Sequence, residues 1–336
     1  MARKSGEATR GKKGDVTVQT LIDMFILSKQ VEGKSTRTIG WYRANLDSFA
    51  KFATNGEPPR LGDLTLESGR AFIAHLQGKT TRYGGHHMRP VQQGGLSPNT
   101  IHGYVRTLKA FGSWIHEEGY VQAHPFERLK APKLPQTMIE ILVEDEIARI
   151  LGTIKPATYL GARAHAIFLL LLDTGIRASE LCSLTLSNTY LHEGYIKVRG
   201  KGDKERIVPI GGATKKSLLR YIQMFRPQPV QDSIVAVFLT SDAQPLTYSG
   251  LSQVLNRLGK AADVPRLHAH LLRHTFAVHY LMNGGDLMTL KLLLGHTTIE
   301  VTQMYLHLAE AHVQVQHSRF SPVDRLECAT RRSRKH

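Results

Sequence analysis

The chain is predicted to be mainly α-helical with one small antiparallel β-sheet, divided into two domains. Three observations predict this. Apolar residues recur at three- and four-residue spacing through most of the 336 positions, as in helices that turn one face to a core. One strand–turn–strand passage interrupts that rhythm: Tyr195-Ile-Lys-Val-Arg199, a glycine-flanked Lys201, then Arg206-Ile-Val-Pro-Ile210. Finally, Lys130-Ala-Pro-Lys-Leu-Pro-Gln136 is a proline-punctuated, basic stretch of the kind that separates domains. A chain of this length can bury a core on each side of it.

In order along the chain, residues 1–14 form a tail rich in glycine, lysine and arginine, expected to be disordered alone. A helix is signalled by Val18, Leu21, Ile22, Phe25 and Ile26. A second follows Ser35 as its cap, with Ile39, Tyr42, Leu46, Phe49 and Phe52 on one stripe. A third starts after Thr65, with Leu66, Ala71, Phe72 and Leu76 inward. The fourth opens at Ser97-Pro98, a capping residue followed by proline at the first helical position, and runs through Ile101, Tyr104, Leu108 and Trp114. No strand pattern is expected among them, so residues 15–129 read as a helical bundle. Between the third and fourth helices, residues 77–95 read as a flexible basic loop with Lys79, Arg82, His86, His87 and Arg89.

After the 130–136 linker, the second domain is placed at 137–318. Helices are expected around Glu144–Leu151 and His165–Asp173, followed by the hairpin and then by largely helical chain to about Leu308. Thr297-Thr-Ile-Glu300 has capping-box spacing, so a helix should start just after His296 and carry Tyr305 on its third turn. Residues 319–336 form a second basic tail, ending in Arg331-Arg-Ser-Arg-Lys335.

Composition narrows the function classes. The 44 Lys and Arg against 28 Asp and Glu give a net charge of +16 and a pI near 9.9. Such a charge draws a protein to polyanions, duplex DNA above all, although a merely basic protein would share it. Cys182 and Cys328 are the two cysteines, and neither CxxC nor a Cys/His zinc spacing occurs. Cys182 reads as a buried thiol. The polar start Met-Ala-Arg-Lys-Ser-Gly-Glu has no apolar core, so no signal peptide is expected. The longest apolar run, Ala166–Leu172, is too short to span a bilayer. A cytoplasmic protein with no membrane partner is expected.

The residues that carry chemistry cluster late in the chain: His270-Leu-Leu-Arg273-His274, Gly295-His296 and Tyr305. Upstream stand Arg177 in Thr174-Gly-Ile-Arg-Ala-Ser-Glu-Leu181, and Lys201 in Gly200-Lys-Gly-Asp-Lys-Glu-Arg206. Cleaving a phosphodiester without a metal needs an oxygen nucleophile, neutralisation of the non-bridging oxygens and a proton for the leaving alkoxide. Arginine suits the second task, because its planar fork binds phosphate bidentately and stays charged. Each residue also has a plainer reading. Arg177 alone reads as a helix-end arginine paired with Asp173 or Glu180, and Tyr305 alone as packing. Lys204 competes with Lys201, and Tyr280 with Tyr305. The His270/His274 spacing invites zinc, but Leu271 stands where a metalloprotease motif needs glutamate. No P-loop and no acidic cluster for paired metal ions occur, so no cofactor, neither ATP nor magnesium, is expected.

In this order and spacing the set resembles the tyrosine recombinase (phage integrase) family, close to its Xer-like branch. The resemblance covers the second half of the chain and, more loosely, the first. It implies a C-shaped two-domain clamp around duplex DNA, with a helical SAM-like core-binding domain and a catalytic domain. It implies that Tyr305 attacks the scissile phosphate, leaving a 3′-phosphotyrosyl link and a free 5′-hydroxyl. Arg177 and Arg273 would clamp the phosphate, with Glu180 in support. Lys201 would be the general acid, His270 would shuttle protons and His296 would donate to a phosphate oxygen. His274 is left to packing or support. Four protomers would pair two double-stranded recombination sites and exchange strands through a Holliday junction. The free chain would be a monomer or weak oligomer, and accessory DNA-bending proteins are compatible with it. The competing readings are a non-cleaving DNA-binding protein of the same fold and a type IB topoisomerase-like enzyme. The chain departs from the family in two places: there is no room for the arm-binding domain of lambda-like integrases, and the 309–336 tail matches no assignable helix. That tail would dock in its own protomer or in a neighbour, and the 77–95 loop would meet DNA backbone, a neighbouring protomer or only solvent.

Overall fold

The computed structural model describes residues 16–54, 58–82, 92–134, 139–200, 204–295 and 305. The chain divides into two compact units, Met1–Thr137 and Met138–His336. The fold class is as expected, mainly α with a small antiparallel sheet. Among the described residues no helix is long and apolar enough to cross a membrane.

The first unit is built from α1 (Val18–Val31), α2 (Thr36–Ala53), α3 (Leu66–Gln77) and α4 (Pro98–Glu117). Each begins where a hydroxyl can satisfy an orphan amide of the first turn. Thr17, Ser35, Thr65 and Ser97 accept from the amides of Thr20, Thr38, Ser68 and Thr100 at 3.1–3.3 Å. The helices close over an aromatic core. Phe25 meets Phe111 edge-to-face at 5.5 Å, and Phe49 meets Phe72 and Phe126 at 5.3 and 5.7 Å. The expectation that no strand interrupts the bundle is corrected. β1 (Thr81–Arg82) and β2 (Gln92–Gln93) pair antiparallel, so the ends of the 77–95 segment are zipped together. A backbone ladder this short needs no alternation of apolar side chains, which is why no strand pattern announces it.

The second unit opens with α5 (Glu144–Thr153), α6 (Tyr159–Thr174) and α7 (Ala178–Cys182). Next come β3 (Thr189–Tyr190), β4 (Tyr195–Arg199) and β5 (Glu205–Pro209), one antiparallel sheet in the order β3-β4-β5. Ile196, Val198 and Val208 point inward from it to the core that α6 fills with Ile167, Phe168, Leu170 and Leu171. α8 (Gly212–Arg220) runs on through a wide π turn at Tyr221–Phe225. α9 (Tyr248–Ala261), α10 (Ala269–Met282) and α11 (Leu287–Leu294) complete the unit. α6 starts earlier than the apolar run suggested, because Thr158 caps it by accepting from the Gly161 amide at 3.1 Å. Cys182 is partly buried, and burial pushes its thiol up to about 11.

Candidate active site

Two left-handed glycines set the frame of the site. α6 stops at Gly175 (φ 60°), whose amide caps the Leu171 carbonyl. A Cβ there would lie 2.4 Å from the Phe276 ring and 2.9 Å from Leu294, so only glycine fits. Two residues later Arg177 caps α7. Its amide donates to Glu180 Oε2 at 2.8 Å and its Nη1 to Oε1 at 3.0 Å. α11 stops at Gly295 (φ 63°), and the Gly295 carbonyl accepts from Arg177 Nη2 at 3.1 Å.

Arg273, on α10, ties the same two segments from behind. It is buried, donating from Nη1 to the Gly175 carbonyl at 2.7 Å and from Nη2 to the Leu294 carbonyl at 2.8 Å. Burial, and then the neighbouring Arg177 charge, lower its pKa to about 10, which still leaves it protonated at neutral pH. Arg177 differs from it in access, with a third of its side chain (33 %) open to solvent.

Glu180 is the acid at the centre, its side chain only 1 % exposed. Burial alone would raise its pKa. The hydrogen bonds from Arg206 and from the Arg177 backbone and side chain outweigh burial and hold it below the ordinary carboxylate value. Arg206, on β5, grips both oxygens, Nη1 to Oε1 at 2.7 Å and Nη2 to Oε2 at 2.9 Å, while its Nε donates to the Leu293 carbonyl at 2.8 Å. Two guanidinium groups thus bond one carboxylate, with the Arg273 charge within electrostatic reach of it, an excess of positive charge suited to an anion.

His270 and His274 stand one turn apart on α10, their rings 4.9 Å apart and edge-to-face. His274 Nδ1 is 2.8 Å from the Tyr305 hydroxyl. Burial, then His270 and Arg273, push His274 down to about 4. Burial and Arg273 lower His270 as well. Both imidazoles are therefore neutral at neutral pH. Tyr305 is 2 % exposed and packs with Ala277, Val278, Leu281, Leu290 and Leu294. Burial raises its pKa, an effect that Arg273 opposes.

Of the six residues singled out by sequence, the structure brings Arg177 and Arg273 together at Gly175, Leu294 and Gly295, and His270 and Tyr305 beside them on either side of the His274 ring. Lys201 and His296 lie outside the described residues, as does the helix expected after His296. His296 nevertheless follows directly on Gly295, and Lys201 directly on Gly200, both of which abut the Arg206 guanidinium. The plainer reading of Arg177 is half right: it does pair with Glu180, but Asp173 instead accepts from the Gly211 amide at 2.7 Å. Tyr280 packs against Phe276, at 5.8 Å between ring centroids, and over Gly285.

Two participants lie outside the six residues given catalytic roles from sequence. His274, assigned to packing or support, touches the Tyr305 hydroxyl itself. Arg206 was passed over, although β5 carries a signal of it. Strand alternation places Arg206 and Val208 on the inner face and leaves Ile207 59 % exposed, an inversion of the usual hydropathy.

Residues 140–312 match the phage integrase family. Tyrosine recombinase XerD of Staphylococcus aureus is 31% identical over 308 residues, covering 91% of this chain and 99% of its own. Tyrosine recombinase XerC of Oceanobacillus iheyensis is 31% identical over 310 residues, covering 91% of this chain and 97% of its own. The Tn1549 transposon integrase, solved in complex with transposon right end DNA, shares the fold with a TM-score of 0.71, at 19% identity over 91% of this chain and 100% of that one. The chain therefore belongs to the phage integrase family, the tyrosine recombinases, enzymes that break and rejoin DNA.

Proposed function

We propose that the site cleaves and rejoins one DNA strand at a time with Tyr305 as nucleophile. The Tyr305 oxygen bonds to the scissile phosphorus as the bond to the 5′-oxygen breaks, giving a 3′-phosphotyrosyl link and a 5′-hydroxyl. Arg177 and Arg273 hold the non-bridging oxygens, and Lys201 delivers the proton that the leaving oxygen takes up. His270 relays protons between Tyr305 and Lys201, and His296 donates to a phosphate oxygen. A free 5′-hydroxyl from a partner strand reverses the step, so the energy of the broken bond is kept. Recombination follows when four copies pair two duplex sites and exchange strands through a Holliday junction, in the cytoplasm and on the nucleoid. The chain's net charge of +16 suits it to phosphate contacts that supply most of the affinity.

One observation carries this reading. Arg177 and Arg273, 96 residues apart in sequence (273 − 177), converge on the turn that ends α11: Arg177 bonds the Gly295 carbonyl and pairs with Glu180, while Arg273 bonds the Leu294 carbonyl and that of Gly175, two residues before Arg177. Tyr305 lies within electrostatic reach of Arg273. Because its hydroxyl is covered and engaged by His274, attack requires that this contact open as DNA binds.

The test uses a duplex selected by binding from a randomised pool, then nicked beside its cleavage position so that the cleaved end diffuses away. Wild-type protein should form a covalent adduct that survives denaturing electrophoresis, and Tyr305→Phe should form none. No adduct from wild type on a duplex it binds would replace this reading with a binding module. An adduct retained in Tyr305→Phe would move the nucleophile elsewhere.

A further inference from the structure

We propose that Arg206 is a positioning residue for the cleavage step, seating the hairpin that carries Lys201 against Glu180 and Arg177. The inference rests on the reading of Lys201 as general acid.

The hairpin is short and stiff up to its tip. Val198 pairs with Arg206 and Arg199 with Glu205, and the Gly200 amide closes the turn on the Lys204 carbonyl at 2.8 Å. Arg206 leaves this ladder on the inner face, with only 14 % of its side chain exposed. Its fork is turned wholly on Glu180, a bidentate grip at 2.7 and 2.9 Å, and its Nε is spent on the Leu293 carbonyl. Gly200, the residue before Lys201, rests on the same pair: a Cβ there would stand 3.5 Å from Glu180 Oε1 and 3.7 Å from Arg206 Nη1. On the other side Gly295, whose carbonyl binds Arg177, lies against the guanidinium at 3.0–3.1 Å from a Cβ position. One guanidinium therefore joins three segments: the approach to Lys201, the α7 turn of Arg177, and the end of α11 just before His296.

A residue needed only to neutralise buried Glu180 could be any cation. A residue that sets the hairpin's position must engage both carboxylate oxygens and the Leu293 carbonyl at once, which the arginine does and a lysine ammonium does not. The two roles separate by experiment. If Arg206 places Lys201, its loss should hurt protonation of the leaving oxygen more than phosphate binding. A leaving group that needs no proton should then restore the rate. Sulfur in the 5′-bridging position is such a group, since a thiol ionises near neutrality, with a pKa of about 8.5.

Adduct formation is to be timed at saturating protein on two nicked duplexes of the same selected sequence, one with the ordinary 5′-oxygen and one with a 5′-bridging sulfur. Arg206→Lys and Arg206→Gln should be slowed by about 10²-fold on the oxygen duplex and return to near the wild-type rate on the sulfur duplex. Lys201→Ala should follow the same pattern, whereas Arg177→Ala should be slow on both. If Lys201→Ala recovers on sulfur while both Arg206 variants stay slow, the positioning role is overturned and Arg206 serves the fold or the phosphate. Wild-type rates for Arg206→Lys on oxygen overturn it as well. If Lys201→Ala does not recover on sulfur, it is the general-acid reading that fails, and the proposal with it. Should Arg206→Gln not fold, Arg206→Lys, which keeps the charge, decides the matter alone.

Discussion

The two units bury polar groups in opposite ways. The first fills its interior with aromatic and aliphatic side chains, and the one polar pair described inside it, Asn45 on Thr107 at 2.9 Å, is neutral and mutually satisfied. The second places Glu180 and Arg273 out of solvent, with Arg206 close by and Arg177 at the edge. A neutral hydrogen-bonded pair is close to even in its effect on folding. Like charges gathered around one carboxylate work against it, because desolvation and repulsion both oppose the folded state. The contrast teaches where stability is stored and where it is given up. The first unit is built to stay folded, while the second keeps a local excess of positive charge around Glu180.

The largest expected effect tests the stability half of that contrast. Phe111 is fully buried, 5.5 Å from Phe25 and stacked on Trp114 at 6.3 Å. Phe111→Ala should cost the first unit about 3–5 kcal/mol. Urea unfolding can follow that unit alone, because both tryptophans of the chain, Trp41 and Trp114, belong to it. A loss below about 1 kcal/mol would mean that the aromatic core is not where stability resides.

The next effect is on chemistry. Arg273→Lys keeps a buried positive charge but loses the fork that spans the Gly175 and Leu294 carbonyls. Adduct formation at saturating protein should fall by about 10²–10³-fold, with duplex affinity changed far less. Equal losses in rate and affinity would make Arg273 a general DNA-binding charge rather than a clamp on the transition state.

How legible this contrast was in the sequence differs between the units. The bundle could be read almost element by element, because Ser35, Thr65 and Ser97-Pro98 are local start signals and the apolar stripes have helical period. β4 was legible for the same kind of reason: Tyr195–Arg199 is bounded by glycines at 194 and 200. What escaped were contacts made by backbone alone or across long separations. β1–β2 and β3 consist of two-residue ladders without an apolar pattern. In the candidate site, residue types and order pointed to phosphate chemistry, yet nothing local says that Arg177 bonds a carbonyl 118 residues away. Nor does anything local say that His274 meets Tyr305. Arg206 lay hidden because the pattern that betrays it, arginine inward and isoleucine outward, runs against the rule by which strands are read.

The smallest effect sharpens the comparison by acid. His165, His270 and His274 of the second unit are all held below the ordinary imidazole value of 6.5 by burial, and in the first unit His124 is shifted that way. A histidine with a depressed folded pKa binds fewer protons folded than unfolded. Its contribution is therefore present above the unfolded value and is lost as pH falls towards the folded one. For His274 that window runs from 6.5 down to about 4. Its protonation would place an imidazolium beside His270 and Arg273, so the penalty falls on the unit already richest in buried positive charge. Lowering the pH through this window should weaken the second unit first. Circular dichroism, which sees both units, would then show a loss that precedes the change in tryptophan emission, which sees only the first. His274→Asn should flatten the acid dependence of the earlier transition by about 1–2 kcal/mol, the linkage of a half-buried group discounted for solvent screening. If the two signals fall together in the wild type, the units do not differ in acid sensitivity. If they separate but His274→Asn leaves the slope unchanged, the sensitivity belongs to His165 and His270 instead, and the His274–Tyr305 contact survives protonation.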